Sequence, residues 1–158
     1  MTVRLWRIAS DTPDWTAEDR LGQGAAARGA RWNRPGEPGL YASTSIALAA
    51  WEARTHLGKT GVALPWNRFL VRLDVPDDVW RSRSALAAPW PVGWNAIPEG
   101  AVSRRLGSEW LAAGASALLE VPSVVVEEER NVLLNPAHPD ARRVVAAKAR
   151  RFVFDPRV

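Results

Sequence analysis

Residues 68–76, RFLVRLDVP, set Phe69, Val71, Leu73 and Val75 on one side of the chain with other residues alternating between them. A period of two fits a half-buried β-strand and no helix. Such a strand folds only when neighbours pair with its edges and a second layer covers its apolar face. VRLWRIA (3–9) alternates in the same way, and PGLYAS (38–43), SALLEVP (116–122), SVVVEE (123–128), NVLLNP (131–136) and RRFVFD (150–155) supply further short strands. IALAAWEARTHLG carries Ile46, Ala49, Ala50, Ala53 and Leu57 at helical spacing, with Thr44 or Ser45 placed to cap its start and Gly58 its end. A second helix is expected over 103–113, closed by Gly114, and a short third over 140–149. Residues 11–30 are irregular apart from one helical turn near 17–21, and 77–100, rich in Pro and Trp, form an extended loop. These elements do not follow a βαβ order, so the expected fold is α+β with a mainly antiparallel or mixed sheet, in a single domain spanning 1–158.

Charge narrows the partners. The net charge is +4, and all but two of the 21 basic residues are arginine, the exceptions being Lys59 and Lys148. Guanidinium groups bind phosphate and carboxylate at two points, so nucleotide phosphates, nucleic acid or an acidic protein are the natural partners. A GC-rich genome also favours arginine, which is the plainer explanation. No apolar run is long enough to span a membrane, the start MTVRLWRIASDTPDW has no secretory h-region, and cysteine is absent. A cytoplasmic protein without disulfides or membrane contact is expected.

Several catalytic patterns fail on their own terms. GQGAAA (22–27) fits G-x-G-x-x-A, yet no strand precedes it and no acid follows at the required distance, so it is expected to be a flexible loop. With only His56 and His138 and no cysteine, no metal site is expected. Ser123, His138 and Asp140 can be drawn as a triad, but no G-x-S-x-G elbow exists. Glu127, Glu128 and Glu129 suit a solvated strand end that guards an edge.

The stretch RGARWNRPGEPGLYAST (28–44) is unusual in joining arginines, a Trp, an Asn, a Tyr and glycines ahead of a helix. Arg31 would clamp a pyrophosphate, Tyr41 would stack on a flat ring, Asn33 would add directional hydrogen bonds, and glycines would let backbone approach a ligand. Glu52 lies at the flank of the helical stripe, where a carboxylate would steady positive charge on a ribose. The equally weighted reading is that Trp32 and Tyr41 anchor the core and the rest is turn chemistry; for Glu52, a plain exposed helix residue is the favoured reading on sequence alone.

Taken together, ARWNRPGEPGLYASTSIALAAWE and VPSVVVEEERNVLLNPAHPDA resemble the signature of RES-domain toxins, and the likeness runs from LWRIA to NPAHPDA. Ala30 departs from it, standing where the family often has a second glycine. The resemblance implies an ADP-ribosyltransferase-like fold of two packed sheets with a few helices around an NAD cleft. It implies a toxin of a toxin–antitoxin pair that uses NAD+ as substrate, without metal, and is blocked by an Xre-like helix-turn-helix antitoxin through which alone it meets DNA. Carried over by position, the family's Arg, Tyr, Glu and Ser are Arg31, Tyr41, Glu52 and Ser123, with Arg7 a further basic position. Glu52, Arg31 and Tyr41 are then the catalytic candidates; Arg31, Tyr41, Ser123, Arg7, Asn33 and Asn135 are the NAD-binding ones. The ADP-ribose acceptor stays open between water, phosphate and a protein, such as an enzyme of nucleotide precursor synthesis. A basic, Trp-rich domain that binds or cleaves nucleic acid, and a sensor that binds NAD or ADP-ribose without turnover, are the alternatives.

Overall fold

The computed structural model describes residues 1–58 and 64–158. Its centre is the antiparallel pair of β1 (Thr2–Ser10) and β3 (Arg68–Pro76), matched along their whole length from Thr2↔Pro76 to Ser10↔Arg68. This register puts Leu5 beside Leu73 and Val3 beside Val75, so the two alternating patterns share one apolar face. Val71, Leu73 and Val75 are buried there, as the period of two requires.

β2 (Leu40–Ser43), β4 (Ser84–Ala85), β5 (Leu118–Pro122), β6 (Arg130–Leu134) and β7 (Val145–Arg151) complete a seven-stranded mixed sheet in the order β4-β5-β6-β2-β1-β3-β7. Among the described residues only β4 with β5 is parallel. The ladder crosses from β2 to β1 through the single pair Trp6↔Ser43. That thin joint separates a four-stranded wing from a three-stranded one, the form taken by the two sheets expected of the α+β fold. The four-stranded wing is covered on both faces. Leu118, Val132 and Leu134 join the main core with Leu5, Leu40 and Val71, whereas Leu119, Val121 and Leu133 face Trp32, Trp94 and Trp110. Burial on both sides explains why these strands are continuously apolar.

Four helices flank the sheet: α1 (Gln23–Arg28), α2 (Ile46–Thr55), α3 (Asp77–Arg81) and α4 (Ala101–Ala113). The extended 77–100 segment therefore begins with α3 and β4 before becoming irregular. Residues 22–27 are not a loop. Gly22, at φ 68°, turns the chain into α1, and a Cβ there would sit 2.5 Å from the Gly39 backbone nitrogen.

Three other expectations are corrected. Residues 140–149 are no helix: a 3-10 turn over Pro139–Arg143 leads straight into β7. Ala141 and Val144 are buried, and the apolar residues after them pair with β3 instead of continuing a helical stripe. The strand expected over 150–155 pairs only to Arg151, after which Phe152 N–H donates to Arg68 O and Phe154 turns into the core. Nor is 123–128 a strand, because the Ser123 hydroxyl accepts from Val125 N (3.0 Å) and Val126 N (3.1 Å). A side chain that captures two successive backbone donors replaces the ladder with a turn.

α4 approaches the Trp32 loop so closely that a Cβ on Gly107 would lie 1.7 Å from Trp32 O. Gly107→Ala is expected to cost about 3 kcal/mol or more, a fall of roughly 6–12 °C in a thermal melt. An unchanged melting temperature would mean that the helix does not sit against this loop.

Candidate active site

α2 aims the central carboxylate. The Ser45 hydroxyl caps it by accepting from Leu48 N at 3.1 Å, and Leu48 and Ala49 bury its inner face. One turn on, half-buried Glu52 reaches the ends of β5 and β6. Its Oε1 accepts from Ser123 Oγ at 2.7 Å and from Asn131 Nδ2 at 2.6 Å. Its Oε2 takes no hydrogen bond among the described residues. Ser123 is fully buried and already accepts two backbone N–H groups, so its one proton goes to Glu52. It therefore has nothing left to offer a nicotinamide amide, and it orients Glu52 instead. The triad is not assembled: His138 Nδ1 accepts from Asp140 N as the cap of the 3-10 turn.

The loop before β2 is held from within. Fully buried Asn33 donates through Nδ2 to Ala25 O, Arg34 O and Glu37 O. Its Oδ1 accepts from the Tyr41 hydroxyl at 2.6 Å, and that hydroxyl accepts from Trp32 N at 3.0 Å. Burial raises the Tyr41 phenol above its ordinary pKa, with Glu99 adding to the rise against the Trp32 N–H, Arg104 and Arg31. Asn33 and the Tyr41 hydroxyl thus serve the loop itself, which leaves the Tyr41 ring as the part able to meet a ligand. The core reading of this stretch holds for Trp32, which is buried and stacked 6.4 Å from Trp94 at 23°.

Arg31 Nη1 donates to Trp94 O at 3.2 Å and Ala96 O at 2.8 Å, tying the Pro/Trp loop to the site. Burial holds its guanidinium below the ordinary pKa, opposed by Glu99, Glu52 and Tyr41, so Glu52 and Tyr41 each lie within electrostatic reach of Arg31.

Arg7 differs from every other arginine described. The residue as a whole is half-buried, but its Nε and Nη1 are shut off from solvent and neither has a hydrogen-bond partner among the described residues. Burial pulls its pKa down to about 10, Asp19 opposing, so it remains a cation at neutral pH. Arg7 and Tyr41 line a cavity of about 360 Å³ with Ala53 of α2, His56 just past its end, Arg28 and Arg68; Arg31 and Glu52 are not among its lining residues. A cation with unpartnered, buried donors beside a cavity has the chemistry to hold an anion.

Asn135 stands apart from this group. Its amide donates to Leu111 O at 3.1 Å and accepts from Ala137 N at 3.1 Å, at the edge of a separate cavity of about 490 Å³. Asn131, four residues earlier, is the contact that sequence reasoning missed. The signal was an amide at the start of an apolar strand, in register with Ser43. No three His, Asp or Glu side chains converge among the described residues, and no helix there is long and apolar enough to cross a membrane.

The RES domain matches residues 4–155. The Prs ADP-ribosylating toxin of Sphingobium sp. (strain YBL2) is 48% identical over 160 residues, covering 100% of this chain and 98% of that protein. Toxin Res of Yersinia enterocolitica is 32% identical over 159 residues, 99% of each chain. Among solved structures, a chain of the M. tuberculosis MbcT–MbcA toxin–antitoxin complex superposes with a TM-score of 0.60 at 15% identity, covering 99% of this chain and 86% of that one. That last likeness is one of fold.

Proposed function

The chain belongs to the RES-domain family, and from that premise we propose that it is the toxin of a toxin–antitoxin pair that cleaves NAD+ and passes on the ADP-ribose. The unpartnered, buried Nε and Nη1 of Arg7, beside a cavity lined in part by the helix that carries Glu52, are the observation that carries this reading.

In the reaction the bond from ribose C1′ to the nicotinamide nitrogen breaks, and its electron pair leaves with neutral nicotinamide. The ribose is left with oxocarbenium character until a nucleophile adds at C1′ and loses its proton. Rate is gained by fixed charge placed where charge develops. Glu52 supplies it: Oε1 is pinned by Ser123 and Asn131, so Oε2 is the oxygen available to the cationic ribose. Arg7 holds the diphosphate through its free donors, and Arg28 and Arg68 add positive field in the same cavity. The Tyr41 ring packs on the flat part of the substrate, fixed by Asn33. Arg31 fastens the Pro/Trp loop as a rim that limits access of water.

The name of the Sphingobium relative favours a protein acceptor. The antitoxin is read as an Xre-like helix-turn-helix protein that covers the cavity, the Mycobacterium complex being a toxin bound to its antitoxin. Incubation with NAD+ labelled in the adenylate, with and without bacterial lysate, tests the acceptor. Label retained on one protein band is the expected result; label released only as free ADP-ribose or its phosphate would show NAD+ destruction instead. The nucleic-acid alternative has less to rest on, because Trp32, Trp94 and Trp110 are packed in the core rather than set out as a stacking surface.

A further inference from the structure

Asn131 sits where side-chain chemistry has to explain it. Asn is disfavoured in strands, yet Asn131 lies inside the four-stranded wing, paired with Ser43 of β2 on one side and Val121 of β5 on the other, and is followed by three buried apolar residues. Both ends of its amide are engaged. Nδ2 donates to Glu52 Oε1 at 2.6 Å, and Oδ1 accepts from Ser43 Oγ at 2.7 Å. Ser43 is itself buried. A carboxylate oxygen can only accept, so the amide nitrogen must face Glu52; flipped, the amide would set two acceptors against each other. The Ser43 proton selects the productive orientation by supplying a donor to Oδ1.

We propose that Asn131 is a positioning residue for the reaction and that Ser43 aims it, the two forming a relay that fixes which oxygen of Glu52 meets the substrate. This rests on the role given to Glu52 above. Ser123 alone holds Oε1 from one direction and leaves the carboxylate free to rotate about that contact. A second donor from an adjacent strand removes the rotation, and Oε2 is held toward the substrate. The relay starts from β2 and ends on α2, so the element that carries Tyr41 also orients Glu52.

The test is nicotinamide release from NAD+, measured from acid to alkaline pH for wild type, Glu52→Gln, Asn131→Ala, Asn131→Asp, Ser43→Ala and the Ser43→Ala/Asn131→Ala double variant, with a thermal melt of each. Asn131→Ala is expected to lower kcat about 10–100-fold with little change in KM. Ser43→Ala removes one hydroxyl and lowers kcat less, and it adds nothing in the Asn131→Ala background because the two act in series. Asn131→Asp can donate only while the paired carboxylates share a proton. Its activity is therefore expected to survive at acid pH and to fall on the alkaline side, where wild type does not. Loss of activity in Asn131→Asp by the same factor at every pH, additive effects of the two alanine variants, or wild-type kcat in Asn131→Ala would each overturn the relay. If Glu52→Gln is inactive while Asn131→Ala is not, the relay alone fails; if Glu52→Gln turns over like wild type, the role of Glu52 fails and the relay with it.

Discussion

Arg7→Met is expected to melt higher than wild type and to lose its stabilisation by NAD+. The two effects have one cause. In the free protein Arg7 is a half-buried cation whose buried Nε and Nη1 have no partner among the described residues, and desolvation has already pulled its pKa to about 10. Replacing such a group by an apolar side chain of similar length removes a desolvation cost, so the free protein should gain about 1 kcal/mol or more, roughly 2–4 °C. The same replacement removes the charge-assisted hydrogen bonds that a diphosphate would accept. NAD+ at about 100 times its Kd stabilises a binding protein by about 2.7 kcal/mol, and that increment should disappear in the variant. A group that is merely structural would give the opposite pattern, with a lower melting temperature and unchanged response to the nucleotide. Such an outcome would remove Arg7 from the site.

Glu52→Gln is the complementary case. The amide oxygen can still accept from Ser123 and Asn131 at Oε1, so the fold and the orientation of the side chain are kept. What is lost is the negative charge at the second position. Loss of one preorganised electrostatic group costs about 10²–10³ in rate, or about 3–4 kcal/mol of transition-state stabilisation. Turnover should fall by that factor and growth inhibition should vanish, whereas stabilisation by NAD+ should persist because the diphosphate contacts are untouched. Equal loss of binding and turnover would indicate that Glu52 is part of the ground-state contact.

The strands with an alternating face were legible because burial on one side writes a period of two, as in β1 and β3. α2 was legible from its cap and stop, with Ser45 at one end and Gly58, at φ 79°, just beyond the other. The failures share a cause: a local signal outcompeted by one not visible locally. Residues 140–149 have helical composition, but the free edge of β3 claims them. SVVVEE has strand composition, but the Ser123 side chain captures its backbone. The site was legible in part. Motif residues offered Glu52 and Tyr41 as candidates, but composition cannot show which donors are already engaged. Asn33 and Ser123 look like ligand contacts in the sequence and prove to be committed to Tyr41 and Glu52. Asn131 and Ser43 meet only through strand register, so no spacing along the chain announces them.

The most direct test of the site measures nicotinamide release over a range of NAD+ concentration, in the presence of bacterial lysate as a source of acceptor, for wild type, Arg7→Met and Glu52→Gln side by side. The expected result is a split: Arg7→Met raises KM, and Glu52→Gln lowers kcat at little changed KM. Release by wild type that neither substitution alters would contradict the cavity beside Arg7 as the place where NAD+ is held and Glu52 as the charge that cleaves it.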